Sequence, residues 1–354
     1  MRTFGSSWSR IAIAALLVLA VVLPWMLDPY SVTRVSALIQ TSIAVLSLNL
    51  VMGLAGQISV GQATFVGVGA YTSTILTAQH GWNFWLACVA AILVSAGLGL
   101  VVGLPALRLR GLYVALTSLG IAIVFPTVVQ AAESVTGGSV GLSLDPLPES
   151  PVGSLEVDQW IYYVSLAVMV VIFVLVRNLK QSRVGRALQA MRDQETVAES
   201  FGVRIAVTKL MVFTISAGVA GASGCLFALQ NAFVSPSDFG LTASIDLFVG
   251  TAVGGQTSVF GAILGGGFLE YAPTVIADTG IDPILTPLVY GLILIAAMIF
   301  FRDGLAGLPR YVAGLVRRSR GAANGDADNE PTDAHHLAAV VDSAAGNEAS
   351  AERR

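Results

Sequence analysis

Charge is what this sequence has least of. Of its 354 residues, 19 are Lys or Arg and 22 are Asp or Glu, or 12% in all, against roughly 25% for a soluble domain. That shortage excludes a soluble globular enzyme, and 55% apolar residues exclude an intrinsically disordered chain. There are two cysteines, Cys88 and Cys225, both inside apolar runs; neither a disulfide framework nor a zinc site fits them, and they read as small buried apolar residues. The two lysines, Lys180 and Lys209, follow Leu179 and Thr208, so no Walker-A loop exists. GxSxG, HExxH and CxxC are missing as well. His80 is the one histidine outside the C-terminal tail, and the tail's His335 and His336 read as solvated side chains rather than a metal site. The chain is therefore expected to bind no cofactor and no nucleic acid. If ATP drives it, another chain hydrolyses the ATP.

What remains is apolar and rich in glycine, with 37 Gly and a mean hydropathy of +0.77. Apolar runs fall at 11–27, 35–54, 58–78, 84–106, 111–131, 160–177, 209–230, 241–254, 258–277 and 284–301. Repeated runs near 20 residues can be solvated only by lipid or by one another. The expected fold is an all-α polytopic transmembrane bundle of eight to ten spans, with 241–254 too short to cross alone. Placing the N-terminus inside puts 18 of the 19 basic residues on the cytoplasmic side, Arg34 being the exception. The connections then left outside carry Asp28, Glu133, Asp145, Glu149, Glu156, Asp158, Asp238, Asp278 and Asp282. This positive-inside bias predicts both termini cytoplasmic. Arg2 and Arg10 before an apolar run resemble a signal peptide, but no small-x-small cleavage site follows Pro24, Trp25 and Met26, so the first span is expected to stay. Residues 1–310 form the expected transmembrane domain. Residues 311–354 form a cytoplasmic tail that turns to Ala, Gly, Asn, Asp and Glu and is expected to be disordered.

Two acids lie within apolar segments, Asp246 and Glu270, with no evident basic partner. Charge at that depth is costly unless it faces water or protein. Asp246 sits near the outer end of its run, where water reaches it. Glu270 is deeper, and a structural role and a place in a substrate path are both open. Residues 53–71, GLAGQISVGQATFVGVGAY, are interrupted by Gly56, Gly61, Gly67 and Gly69 and made polar by Gln57, Ser59, Gln62 and Thr64. Either the glycines serve close helix packing, or the helix is broken beside a water-filled path. Residues 254–267, GGQTSVFGAILGGG, offer a second such place at Gly254, Gly255, Gln256 and Ser258. There GQTSV echoes GQISV 199 residues earlier, a trace of internal duplication or a coincidence of composition.

The one long cytoplasmic connection, 178–208, is patterned. Leu188, Met191, Ala198 and Phe201 recur at helical spacing, Arg186, Arg192, Asp193 and Glu199 fall on other faces, and Gly202 suits a left-handed helix end. A helix–turn–helix of this kind either lies on anionic lipid through Lys180, Arg183 and Arg186 or inserts into a groove of a cytosolic partner.

Taken in order, LNLVMGLAGQISVGQATFVGVGAY, LRLRGLYVALTSLGIAIV, SRVGRALQAMRDQETVAESFGV and FFRDGLAGL resemble the LivM-type permeases, the membrane subunits of ABC importers for branched-chain amino acids. The resemblance runs from about residue 40 to 308 and is specific as an ordered set. It implies a bacterial cytoplasmic (inner) membrane location, a second homologous permease, two cytosolic ABC ATPases and an extracytoplasmic substrate-binding protein. It also implies that the 178–208 loop docks on the ATPase, through Gly185, Arg186, Ala187, Arg192, Glu195, Ala198, Glu199 and Gly202, with Arg186 and Arg192 pairing at the rim. Such permeases usually read GGxGSxxGPxLGA where this chain has Gln256 and Thr257 and no proline, which bears on substrate identity. Two other readings stand beside this one. The same importer class could serve urea, short amides or another amino acid, or a stand-alone carrier could use Glu270 as its proton site.

Overall fold

The computed structural model describes residues 18–106, 112–145, 148, 156–256, 258–278, 285–300 and 304. Residues 11–17 of the expected first span, Thr257, His335, His336 and the whole 311–354 tail lie outside them. Among the described residues, eleven α-helices of six residues or more carry the fold: α1 (Pro29–Asn49), α2 (Gln62–Thr74), α3 (Phe84–Ala106), α4 (Leu112–Ala131), α5 (Val157–Gln181), α6 (Arg183–Asp193), α7 (Glu195–Ser200), α8 (Ile205–Asn231), α9 (Leu241–Gly254), α10 (Val259–Asp278) and α11 (Thr286–Phe300). Helix α1 starts where Asp28 accepts from the Ser31 amide at 3.2 Å and its hydroxyl at 2.8 Å, with Pro29 preset for the first turn.

Among the described residues six helices are long and apolar enough to cross a membrane: Pro29–Leu54, Phe84–Pro105, Tyr113–Ala131, Val157–Gln181, Ile205–Asn231 and Val259–Ile276. Helices α2, α9 and α11 are shorter, and the 241–254 run is one 14-residue helix, as its length led us to expect. The six differ in position. Helices α1 and α8 are 78% and 67% buried, whereas α3, α4, α5 and α10 are only 28–33% buried. The outer helices are therefore apolar on their uncovered faces, which suits lipid rather than water.

The central pair is joined by polar groups in an apolar surrounding. Gln40 Nε2 donates to Ser223 Oγ at 2.9 Å, and Ser223 Oγ donates back to the Gln40 carbonyl at 2.9 Å. Two helical turns along, Ser216 Oγ donates to the Ser47 carbonyl at 2.7 Å. Gln62 of α2 joins there, its Nε2 reaching Ser47 Oγ at 2.9 Å and Ser216 Oγ at 2.8 Å. Interhelical bonds of this kind contribute about 0.6 kcal/mol each in a membrane. Glycine sets the approach of α2 to α8: a methyl at Gly69 would overlap the Gly221 backbone, and one at Gly224 the Val66 carbonyl.

The end of the bundle carrying the 178–208 segment is called the loop end. At the far end, β1 (Leu142–Ser143) pairs antiparallel with β2 (Phe233–Val234). Aromatic side chains gather there too. Trp25 Nε1 donates to Tyr163 Oη at 2.9 Å, and Trp85 meets Trp160 edge to face at 6.2 Å, as expected of side chains placed at a membrane–water boundary. The two cysteines, which their separation in sequence gave no reason to pair, meet between α3 and α8 as free thiols, Cys225 Sγ lying 3.9 Å from the Cys88 carbonyl.

Candidate functional site

Both glycine-rich segments break the helix. Helix α1 widens into a π turn over Leu50–Leu54 and leaves it through Gly56 at φ +66. The Gly56 and Gln57 amides donate back to the Met52 and Val51 carbonyls, both at 3.2 Å. The chain then runs irregularly until α2 begins at Gln62. In that stretch Ser59 and Gln62 are buried, and the Val60 amide is held by Ser118 Oγ at 2.9 Å. At Gly61 a side chain would overlap the Ser118 carbonyl. The second break follows α9. Gly255 stands at φ +106, and Ser258 Oγ accepts from the Gly261 amide at 3.2 Å to start α10. Close packing accounts for the other glycines of both segments, since Gly67 meets Phe125 and Phe239, and Gly254 meets Gly261. Some of these glycines thus serve packing, and Gly56 and Gly255 stand where the helices break.

The breaks approach one another at the loop end, where Asn49 Nδ2 reaches the Ser258 carbonyl at 3.4 Å. Among the described residues, several buried oxygens nearby have no hydrogen-bond partner, namely Asn49 Oδ1, Gln57 Oε1, Ser59 Oγ, Gln62 Oε1 and Thr64 Oγ1. Buried polar atoms are costly when unpaired, so these oxygens suit water or another hydrogen-bond donor. Gln256 is half-buried beside Gly254 and Gly255, which are fully enclosed.

The 178–208 segment forms two helices, α6 and α7. Ser182 caps α6, accepting from the Gly185 amide at 3.2 Å, and a side chain at Gly185 would overlap the Leu179 and Lys180 carbonyls. Gly202, at φ +84, ends α7 as its position predicted, with the Val203 amide returning to the Ala198 carbonyl at 3.1 Å. Leu188, Met191 and Ala198 face inward as the periodicity required. Phe201 does not: it caps the C-terminal end of α7 and is 84% exposed. With Ala190, Val197, Ala198 and Val203 it borders an open groove of about 570 Å³. Arg186, Arg192 and Glu199 are exposed and Ala187 is half-buried.

Two charged residues of this loop, Arg192 and Glu195, make contacts within their own chain. Arg192 Nη1 donates to the Gly53 carbonyl at 2.6 Å, and Glu195 pairs with Lys209 near the start of α8, whose side chain is only 9% exposed.

Glu270 stands elsewhere. It lies toward the far end of α10, away from both breaks, and it has a basic partner that was not evident in the sequence. Arg34 of α1 donates from Nη2 to the Glu270 carbonyl at 2.9 Å and to Thr274 Oγ1 at 2.7 Å. Its guanidinium lies 3.8 Å from the Glu270 carboxylate and 4.8 Å from the centre of the Tyr271 ring. The partner was hidden by a separation of 236 residues. The central polar ties left a clearer trace: Gln40 and Ser47 on α1, and Ser216 and Ser223 on α8, are spaced seven apart, two turns on one face.

Two broken helices beside a central helix pair, with a two-helix loop at one end, define a multi-pass helical membrane protein built like a transporter. More narrowly, the chain belongs to the family described as the branched-chain amino acid transport system permease component, whose family model matches residues 31–298. It is 31% identical to the high-affinity branched-chain amino acid transport system permease protein LivM of Escherichia coli K12, over 90% of this chain and 79% of that protein. It is 25% identical to the corresponding protein BraD of Pseudomonas aeruginosa, over 74% of this chain and 89% of that one. A shorter stretch, 34% of this chain and 37% of the relative, is 28% identical to the autoinducer 2 import system permease protein LsrC of Salmonella typhimurium LT2. No solved structure matches.

Proposed function

We propose that the chain is the membrane-spanning permease subunit of an ATP-driven importer that carries branched-chain amino acids across the bacterial cytoplasmic membrane. The observation that carries this reading is the α6–α7 loop. A helix pair whose sequence follows the family pattern leaves Phe201 and Val197 uncovered around an open apolar groove, the kind of surface a cytosolic partner fills. The chain would form half of a pathway with a second, homologous permease. Two cytosolic ATPases would bind the loops at the loop end, which is then cytoplasmic, and supply the hydrolysis. An extracytoplasmic binding protein would deliver substrate to the far end. Nucleotide binding biases the loops between two positions and so selects outward or inward openings. The unpartnered oxygens around Gln57, Ser59 and Gln62 suit a zwitterion moving along an otherwise apolar route.

The stand-alone proton carrier loses support from Arg34, since an acid held beside a guanidinium and away from the breaks makes a poor mobile proton site. A different cargo for the same architecture is favoured by one observation, the partial likeness to a permease named for autoinducer 2 import. Affinity purification from the native host in mild detergent, followed by mass spectrometry, tests the assembly. Two ATPases and a second permease are expected, and isolation of the chain alone or as a homo-oligomer would overturn the reading. Uptake competition among leucine, isoleucine and urea tests the cargo.

A further inference from the structure

We propose that Arg192 is a strut that passes movement of the loop to the break after α1, a positioning residue rather than a contact to the ATPase; this rests on the importer reading above. At the end of α1 the last carbonyls need donors. Those of Val51 and Met52 are taken by the Gln57 and Gly56 amides, and that of Gly53 is taken by Arg192 Nη1 at 2.6 Å, from a residue 139 positions away. A cation at a helix C-terminus is favoured by the dipole as well as by the bond. The stem of the same side chain lies on Gly56, where a Cβ would stand 3.0 Å from Arg192 Cγ. One side chain from the last turn of α6 therefore both satisfies the π-turn backbone and rests on the hinge glycine, whose φ of +66 is the first bend of the break.

A second tie makes the link directional. Glu195, the first residue of α7, pairs with Lys209 in the first turns of α8. Between Arg192 and Glu195, the α6–α7 junction is thus fastened to both central helices, α1 and α8, which are themselves joined through Ser47, Gln62 and Ser216. A displacement of α6 by a docked partner cannot leave Gly53–Gln57 in place without breaking the Arg192 bond. The bearing of Gly56 follows too: any larger residue would separate the strut from the bend.

The test uses the full importer in proteoliposomes and reads substrate transported per ATP hydrolysed. Arg192→Met keeps the aliphatic stem on Gly56 but removes the donor, whereas Arg192→Lys keeps a cationic donor. With Arg192→Met the ATPases should still co-purify while transport per ATP falls about tenfold, the scale of a typical coupling free energy, and Arg192→Lys should recover most of it. Unchanged transport per ATP in Arg192→Met overturns the strut and leaves the importer reading standing. Loss of ATPase binding in both variants also overturns it, making Arg192 a docking contact. If the wild-type chain recruits no ATPase, both readings fall. Should Arg192→Met not accumulate, Gly56→Ala gives the same readout through the other side of the contact, and a ratio equal to wild type would again overturn the proposal.

Discussion

Arg34 and Glu270 form one pair, but the structure makes their removal unequal. Two of the polar contacts of Arg34 do not involve the Glu270 carboxylate at all: they go to the Glu270 carbonyl at 2.9 Å and to Thr274 Oγ1 at 2.7 Å. The carboxylate lies 3.8 Å away, with side-chain exposures of 15% for Arg34 and 28% for Glu270. Bonds from a charged donor contribute about 1.5–3 kcal/mol each when well enclosed, and partial exposure brings their sum here to about 2–4 kcal/mol. A partly exposed ion pair at the longer distance is worth about 0.5–1 kcal/mol. Arg34→Ala should therefore destabilise the protein several times more than Glu270→Gln, because glutamine leaves both short contacts intact. Thermal unfolding of detergent-solubilised protein, followed by size-exclusion chromatography, reads the first quantity, and ATP-driven uptake in proteoliposomes reads the second. Glu270→Gln should melt within a few degrees of wild type and transport normally. Equal destabilisation by the two variants would refute the assignment of the contacts. Loss of uptake in Glu270→Gln, with ATPase binding retained, would return that carboxylate to the transport path.

Gly224 and Gly218 lie on one helix and test glycine packing against itself. At Gly224 a Cβ would stand 2.6 Å from the Ala70 amide nitrogen, whereas at Gly218 the nearest atom is an ordinary 3.5 Å away. Gly224→Ala should part α2 from α8 by about an ångström and cost about 1–3 kcal/mol, while Gly218→Ala should be neutral or slightly stabilising in a thermal melt. Phe201→Ser should leave the melting temperature unchanged and weaken ATPase co-purification about 10- to 100-fold, the worth of one large apolar side chain buried at an interface. The bonds from Ser31 hold the Asp28 carboxyl below its ordinary pKa, so its helix-capping contribution is present above that value and lost as pH falls through the folded one. Hydrogen exchange at the first turn of α1 should therefore gain an acid-dependent opening in wild type that Asp28→Asn lacks.

The membrane class of this protein was legible in composition because solvation imposes it. A chain with few charges and repeated apolar runs leaves no other way to satisfy its backbone than helices in lipid. Local signals were legible for the same kind of reason: Gly202 ends α7 because few other residues tolerate φ +84, and the clusters around Gly56 and Gly255 break helices by the freedom glycine has. The length of 241–254 told that it would be a short helix. What the sequence could not reveal is which groups meet across the fold. Arg34 looked like an exception to the charge pattern and Glu270 like an acid without a partner, and each explains the other only once α1 lies against α10. Arg192 and Glu195 belong to a motif of a loop that resembles a docking element, yet their side chains are bound by Gly53 and Lys209 of their own chain. Periodicity grouped Phe201 with the inward side chains, yet at the C-terminal end of α7 no described helix of the bundle covers it and it is 84% exposed. Caps and breaks are set by neighbours within a few residues, so the sequence alone determined them. Pairings across 139 or 236 residues depend on helix packing, and only the tertiary structure decided them.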